Sequence, residues 1–152
     1  TLDTPLADSD DIRMIQNSFN AYVLSYMYEG VDFIAGHIVS WQGVDAGLDD
    51  GWSRASMNGT SFGGISYNNG LEFGFWYYNI TQQTNATYAE LGRTYNFNKD
   101  IYIHGMLQYL YESELNKSGL GADIYGALFD FIAYDIGFHI AYDKANRKAG
   151  LD

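Results

Sequence analysis

Apolar and polar positions alternate along Leu71–Tyr78, and this pattern predicts a β-strand with one apolar face. The odd positions carry Leu, Phe, Phe and Tyr, whereas the even positions Glu72 and Gly74 are polar or small. Successive side chains of a strand point to opposite faces of its sheet. An Asn-Gly pair at residues 69–70 suits a tight hairpin turn, and Ser61–Tyr67 alternates before it. These features predict a β-hairpin.

The same alternation recurs over residues 19–144 and predicts about eight antiparallel strands, in one domain of 152 residues. The predicted strands are Phe19–Tyr28, Val31–Trp41, Ser61–Tyr67, Leu71–Tyr78, Ala86–Tyr95, Ile101–Glu112, Asp123–Phe131 and Ile136–Asp143. Residues 1–18 are not strand-like and contain the only proline. Residues 145–152 are predicted to be a loop or tail.

The predicted connections also alternate, since short turns are followed by longer polar loops. The short ones are Glu29-Gly30, Asn68–Gly70, Asn96–Asp100 and Tyr134-Asp135. The longer ones are Asp45–Thr60, Asn79–Asn85 and Ser113–Gly121. Short turns on one rim and long loops on the other are typical of an outer-membrane barrel, although a soluble up-and-down barrel can share them.

Composition favours a membrane barrel over a soluble one. Aromatic residues make up 17% of the chain and charged residues only 18%, which is unusual for a water-facing surface. Tyrosines often end the apolar stripe of a strand, as aromatic girdles do at membrane interfaces. They are Tyr26, Tyr67, Tyr77, Tyr95, Tyr111 and Tyr142. The expected fold is therefore an all-β, up-and-down transmembrane β-barrel.

Charge and cysteine content narrow the possible partners. The formal net charge of −11 argues against nucleic acid, and the absence of cysteine removes thiolate metal sites. No apolar run is long enough for a transmembrane helix, but a membrane barrel would not contain one. We expect outer-membrane lipid and small polar solutes as partners.

The first forty residues resemble the OprD-type outer-membrane porin family. The resemblance rests on Pro5, on the Asp-x-Arg motif of Asp11 and Arg13, on the aromatic strand from Phe19, and on Gly30–His37. In that family these elements mark a loop folded into the barrel and the strands that follow. The sequence departs from the family at Gln16, where a proline is usual, and at His37, where a lumen arginine is frequent.

This resemblance implies a barrel of about eighteen strands, longer than this chain can supply. The chain is accordingly expected to be an internal fragment of an integral protein of a Gram-negative outer membrane, with a homotrimer as the candidate assembly. The resemblance also implies that residues 1–18 form the inward-folded loop. The predicted constriction residues within that loop are Asp8, Asp10, Asp11 and Arg13.

Alternation also assigns a polar, lumen-lining set of side chains. This set is His37, Glu72, Glu90, His104, Gln108, Glu112, Asp130, His139 and Asp143. The three histidines lie on separate strands, so no metal site is expected. No catalytic motif accompanies the carboxylates, so neither enzyme activity nor a cofactor is expected. Rings of carboxylates favour cations, which predicts a mild cation preference at neutral pH.

The function predicted from these features is passive diffusion of small hydrophilic solutes through an outer-membrane pore. One alternative is a closed eight-stranded barrel with a structural or adhesive role, in which Phe19–Tyr28 would pair with Ile136–Asp143. The other alternative is a soluble ligand-binding barrel, which would partition into buffer and not into detergent.

Deleting residues 8–13 from the complete protein is predicted to widen the pore, because the inward-folded loop would lose its constricting residues. Single-channel conductance measures the effect. An unchanged conductance would argue against a constricting role for this segment.

Overall fold

The computed structural model describes residues 2–8, 17–43, 51–54, 56 and 58–147, and every regular element in them is a β-strand. The short strands are β1 (Asp3–Thr4), β2 (Ala7–Asp8) and β5 (Ser53–Arg54). The long strands are β3 (Ser18–Tyr28), β4 (Val31–Gln42), β6 (Thr60–Asn68), β7 (Leu71–Ile80), β8 (Thr84–Asn96), β9 (Ile101–Glu114), β10 (Ala122–Ala133) and β11 (Ile136–Arg147). No helix in the described ranges is long and apolar enough to cross a membrane.

The long strands form one antiparallel sheet in the order β11-β10-β9-β8-β7-β6-β4-β3, with β5 paired to β4. Each long strand therefore lies beside its neighbours in the chain, which is the up-and-down arrangement that the sequence predicts. The strands β3 and β11 lie at opposite edges of the sheet. They do not pair anywhere in the described residues. The structure therefore contradicts the closed eight-stranded alternative, which requires this pairing.

The structure adds short strands where none was predicted, namely β1 and β2 within residues 1–18 and β5 within the predicted loop Asp45–Thr60. The long strands also extend beyond their predicted ends. The predicted loop Asn79–Asn85 is mostly strand, because β7 runs to Ile80 and β8 begins at Thr84. Asn79 Nδ2 donates a hydrogen bond of 2.6 Å to Asn85 Oδ1 across the two strands, so these two polar side chains pair with each other at the ends of the strands. The last strand also continues to Arg147, into the predicted tail.

The turns on one rim are tight, as predicted. Glu29 and Gly30 have φ angles of 49° and 82°, the pair of positive values that a two-residue hairpin turn requires. The other tight turns lie at residues 69–70, 97–100 and 134–135. The opposite rim carries the longer connections at 43–59 and 115–121, together with the short one at 81–83.

Successive tight turns are staggered along the sheet. The register row that begins at Tyr28, the last residue of β3, passes through Phe73 and Leu107 to Ala127. Strand β10 nevertheless continues beyond Ala127 to Ala133 before it turns. Such a stagger is what a sheet of tilted strands needs in order to curl into a barrel.

One face of the sheet, here called the apolar face, exposes large apolar side chains. On β7 it carries Phe73, Phe75 and Tyr77, which are 39%, 44% and 45% exposed, whereas Trp76 and Tyr78 on the opposite face are buried. Cross-strand register continues the apolar face through Leu107, which is 62% exposed. Such a continuous band of exposed apolar side chains, on strands whose alternate side chains point to the other face, is typical of the lipid-facing surface of a membrane barrel.

The prediction for His37 is wrong, because it lies on the apolar face. Its pairing with Ser61 gives it the same orientation as Phe33 on β4, and its Nδ1 atom lies 3.0 Å from Ser61 Oγ. The register row of His37 and Ser61 continues through Asn79 and Asn85. This polar row, next to the long loops, marks the edge of the apolar band.

Replacing Leu107 by Arg should cost about 2–4 kcal/mol of folding free energy near the bilayer midplane, because the charge would enter lipid. Gln108→Arg is the matched control, since the adjacent side chain points to the other face and should cost much less. Reversible unfolding from lipid vesicles measures both. Equal costs for the two variants would refute the assignment of faces.

Candidate functional site

The opposite surface of the sheet, here called the polar face, gathers most of the polar residues singled out from the sequence. Register places eight of the nine predicted lumen residues on it, His37 being the exception. They are Glu72, Glu90, His104, Gln108, Glu112, Asp130, His139 and Asp143. That this face lines a lumen stays a prediction.

Four of these side chains form a connected cluster near the rim of tight turns. His104 Nδ1 lies 3.2 Å from Asp130 Oδ2, and His139 Nδ1 lies 2.8 Å from Asp130 Oδ1. Glu72 Oε1 lies 3.3 Å from His104 Nε2. His104 and His139 lie on separate strands, as the sequence predicts, but Asp130 lies between them on the intervening strand.

Glu72 reaches this cluster across β8. It pairs with Gly92, which has no side chain, and its carboxylate extends over β8 towards His104 on β9. The described residues contain no group of three or more side chains arranged to hold a metal ion.

The polar face carries a strong excess of negative charge. Along β6–β11 its carboxylates are Glu72, Glu90, Glu112, Glu114, Asp130 and Asp143. In these strands the only lysine or arginine with the same orientation is Arg147, at the end of β11. Arg93 and Lys144 lie on the apolar face, opposite Leu71 and Tyr125.

A short N-terminal hairpin, formed by β1 and β2, covers part of the polar face. It is closed by the Thr4 hydroxyl, which donates to Ala7 O at 2.9 Å and accepts from the Ala7 N–H at 3.1 Å. Leu2 and Ala7 are buried in one cluster with Phe62 and Tyr78. The Leu6 N–H also donates to the Tyr78 hydroxyl, at 3.4 Å.

The predicted constriction residues fall mostly beyond the part of the chain that the structure describes. Asp10, Asp11 and Arg13 lie outside the described residues, and Asp8 is described only as the last residue of β2. What the structure shows is that residues 2–8 lie against the polar face. Their effect on a pore stays a prediction.

An aromatic platform supports the hairpin, and the sequence analysis missed it. Tyr78 stacks with Phe62 at a ring-centroid distance of 6.0 Å and with Trp76 at 6.4 Å. The sequence nevertheless contains a sign of this platform, because Trp76 and Tyr78 occupy even positions of the strand and break its apolar-polar alternation. Large rings on an otherwise polar face indicate that something covers them. Gly64 makes room for the Trp76 ring, which would collide with a Cβ atom there.

A cleft of about 600 Å³ remains between the hairpin and the sheet. Its lining residues are Asp3, Thr4, Pro5, Ser66, Trp76, Tyr88, Glu90 and Gln108. The Tyr88 hydroxyl donates to Glu90 Oε2 at 2.7 Å, which fixes one edge of the carboxylate. Gly74 leaves space for the other edge, since a Cβ atom there would lie 2.7 Å from Glu90 Oε1.

Comparison with known proteins identifies the fold. No protein-family model and no curated protein matches the chain. Among solved structures, Pseudomonas aeruginosa OpdL is 19% identical, with a TM-score of 0.80 over 94% of this chain and 42% of that one. OccK2 (OpdF) of the same organism, in complex with glucuronate, is 18% identical, with a TM-score of 0.81 over 93% of this chain and 42% of that one. OpdK with vanillate, also from this organism, is 15% identical, with a TM-score of 0.81 over 95% and 41%.

These similar structures are porins of the OprD/Occ family, so the fold that the sequence resemblance implied is confirmed. This chain has the antiparallel strands of such a barrel. It spans about two fifths of the length of those structures, which agrees with the expectation that it forms one segment of a larger barrel.

Gly64→Ala should destabilise the fold by about 1–3 kcal/mol, because its Cβ atom would force the Trp76 ring from the platform. Gly63→Ala is the control, since its nearest neighbour would be Ile34 O at 3.7 Å. Urea unfolding from lipid vesicles compares the two variants, and proteolysis reports release of the hairpin. An equally stable Gly64→Ala protein would show that the platform tolerates displacement of Trp76.

Proposed function

We propose that the protein is an outer-membrane porin through which small hydrophilic solutes diffuse passively. In this proposal the chain contributes eight strands of the barrel wall and a hairpin that narrows the lumen. The observation that carries the proposal is the contrast between the two faces of one sheet. Lipid would contact the apolar face, and water and solutes would contact the polar face.

The contrast between the faces argues against the soluble alternative, and the strand order argues against the small closed barrel. A soluble ligand-binding barrel turns its apolar side chains inward, whereas Leu107 and Phe75 lie exposed on a face that no described element covers. A small closed barrel would need pairing between its first and last strands. Porins are not enzymes, and passive diffusion requires no cofactor. A homotrimer is the assembly that we propose.

Reconstitution of the complete protein provides the direct test of this function. Detergent-purified protein added to a planar bilayer should give discrete conductance steps that do not require an energy source. Liposomes loaded with small sugars or salts should swell at a rate that falls as solute size increases. A protein that stays soluble without detergent and leaves bilayers sealed would contradict the proposal.

The charge of the polar face supports a preference for cations. The ligands named for OccK2 and OpdK, glucuronate and vanillate, are carboxylates. On this chain the polar face itself presents carboxylates, and a ring of such groups attracts cations and repels anions. We therefore propose that this part of the lumen admits cations and uncharged solutes more readily than anions.

We predict cation selectivity at pH 7 that weakens towards pH 5, where histidine side chains gain protons. His104 lies beside Glu72 and Asp130, and His139 lies beside Asp130, so these two histidines are next to carboxylates of the polar face. Reversal potentials across a salt gradient measure the change. Replacing both histidines by Gln should remove most of this pH dependence.

Glu112→Gln provides a further check of this prediction, because it removes a polar-face charge outside the histidine cluster. It should reduce the selectivity for cations at pH 7. Anion selectivity at pH 7 that neither Glu72→Gln nor Glu112→Gln alters would show that the lumen charge lies elsewhere in the complete protein.

A further inference from the structure

We propose that the cleft between the N-terminal hairpin and the polar face is a binding subsite for solutes that carry a protonated amine. The inference rests on the proposed porin function and adds a solute class and a location to it. Glu90 and Tyr88 of β8 form one wall of the cleft, and Asp3 of β1 forms the other. Trp76 of β7 also lines the cleft.

Charge is the first argument for this ligand class. The two ionisable acids of the cleft, Asp3 and Glu90, come from opposite walls, and its lining contains no lysine, arginine or histidine. An ammonium group between them would exchange part of its water shell for carboxylate oxygens. Charge-assisted hydrogen bonds of this kind are stronger than neutral ones. An anionic solute would meet two like charges instead.

The shape of the Glu90 carboxylate is the second argument. Its Oε2 atom accepts a hydrogen bond of 2.7 Å from the Tyr88 hydroxyl, so the side chain is oriented before a ligand arrives. Its Oε1 atom lies over Gly74, where a larger residue would collide with it. Preorganisation of this kind lowers the entropic cost of binding.

Aromatic and neutral polar groups complete the recognition of an amine. The rings of Tyr88 and Trp76 border the cleft, and aromatic faces attract ammonium groups. Thr4, Ser66 and Gln108 add neutral polar groups that can hold the rest of a small hydrophilic solute. The volume of about 600 Å³ lies within the range of small-molecule sites.

Binding at this subsite should be weak and reversible, because a conducting pore must release the solutes that it attracts. The subsite would therefore raise the local concentration of amines beside the hairpin and slow other cations while it is occupied. This gives a measurable signature, namely a saturable block of potassium current by a small amine.

The experiment uses the complete protein in planar bilayers, with propylammonium as the probe and propionate as its size-matched anionic counterpart. Propylammonium should reduce the potassium current in a saturable manner, whereas propionate should not. Glu90→Gln should raise the half-blocking concentration about tenfold, the loss expected for a charge-assisted hydrogen bond. Asp3→Asn should raise it in the same direction.

Glu112→Gln is the matched control, because it removes a carboxylate from the same face outside the cleft lining. It should leave the half-blocking concentration within about twofold. If Glu90→Gln does not insert, Gln108→Lys serves instead, since it keeps Glu90 and adds a positive charge to the cleft lining. It should weaken the block at least tenfold.

Two results would overturn the subsite. One is equal block by propionate, and the other is an equal loss of block in the Glu90→Gln and Glu112→Gln variants, which would indicate a diffuse lumen charge. Calorimetric titration of the detergent-solubilised protein with propylammonium needs no current. Binding that depends on Glu90 in a protein without conductance would refute the porin function and leave the subsite standing.

Discussion

Antiparallel backbone pairing in one continuous register is the interaction on which the structure depends. In a lipid environment no water is available for unpaired backbone groups, so each strand must be satisfied by its neighbours. Register also determines the faces, because a slip by one residue would move every side chain of a strand to the opposite face of the sheet. Leu107 is exposed on the apolar face, whereas the side chain of the adjacent Gln108 lies on the polar face.

The N-terminal hairpin adds a second constraint that acts on one face only. Phe62, Trp76 and Tyr78 stack together on a face that is otherwise polar. Burial of Leu2 and Ala7 against this platform provides the apolar contact that holds the hairpin to the sheet. The hairpin is therefore held by apolar packing as well as by the hydrogen bond from the Leu6 N–H to the Tyr78 hydroxyl.

The sequence predicted the eight long strands, their order and most of their faces, because period-two alternation is a local signal that backbone pairing preserves. The face of His37 was predicted wrongly although it has the same parity as Phe33, because its polarity suggested the polar face. A row of polar residues that crosses the sheet there accommodates it on the apolar face. The bridge from His104 to His139 through Asp130 likewise depends on register, which alternation within one strand does not reveal.

Glycines on the polar face explain how the sheet accommodates so many carboxylates. Gly74 lies opposite Glu90, Gly92 opposite Glu72, and Gly126 opposite Asp143. A Cβ atom at Gly74 or Gly126 would press on the neighbouring acid, at 2.7 and 2.8 Å respectively, whereas one at Gly92 would only touch Glu72, at 3.4 Å. Each acidic side chain can therefore lean over an adjacent strand instead of standing upright beside another charge. Pairing with glycine therefore gives these acidic side chains room on the polar face, where a larger neighbour would crowd them.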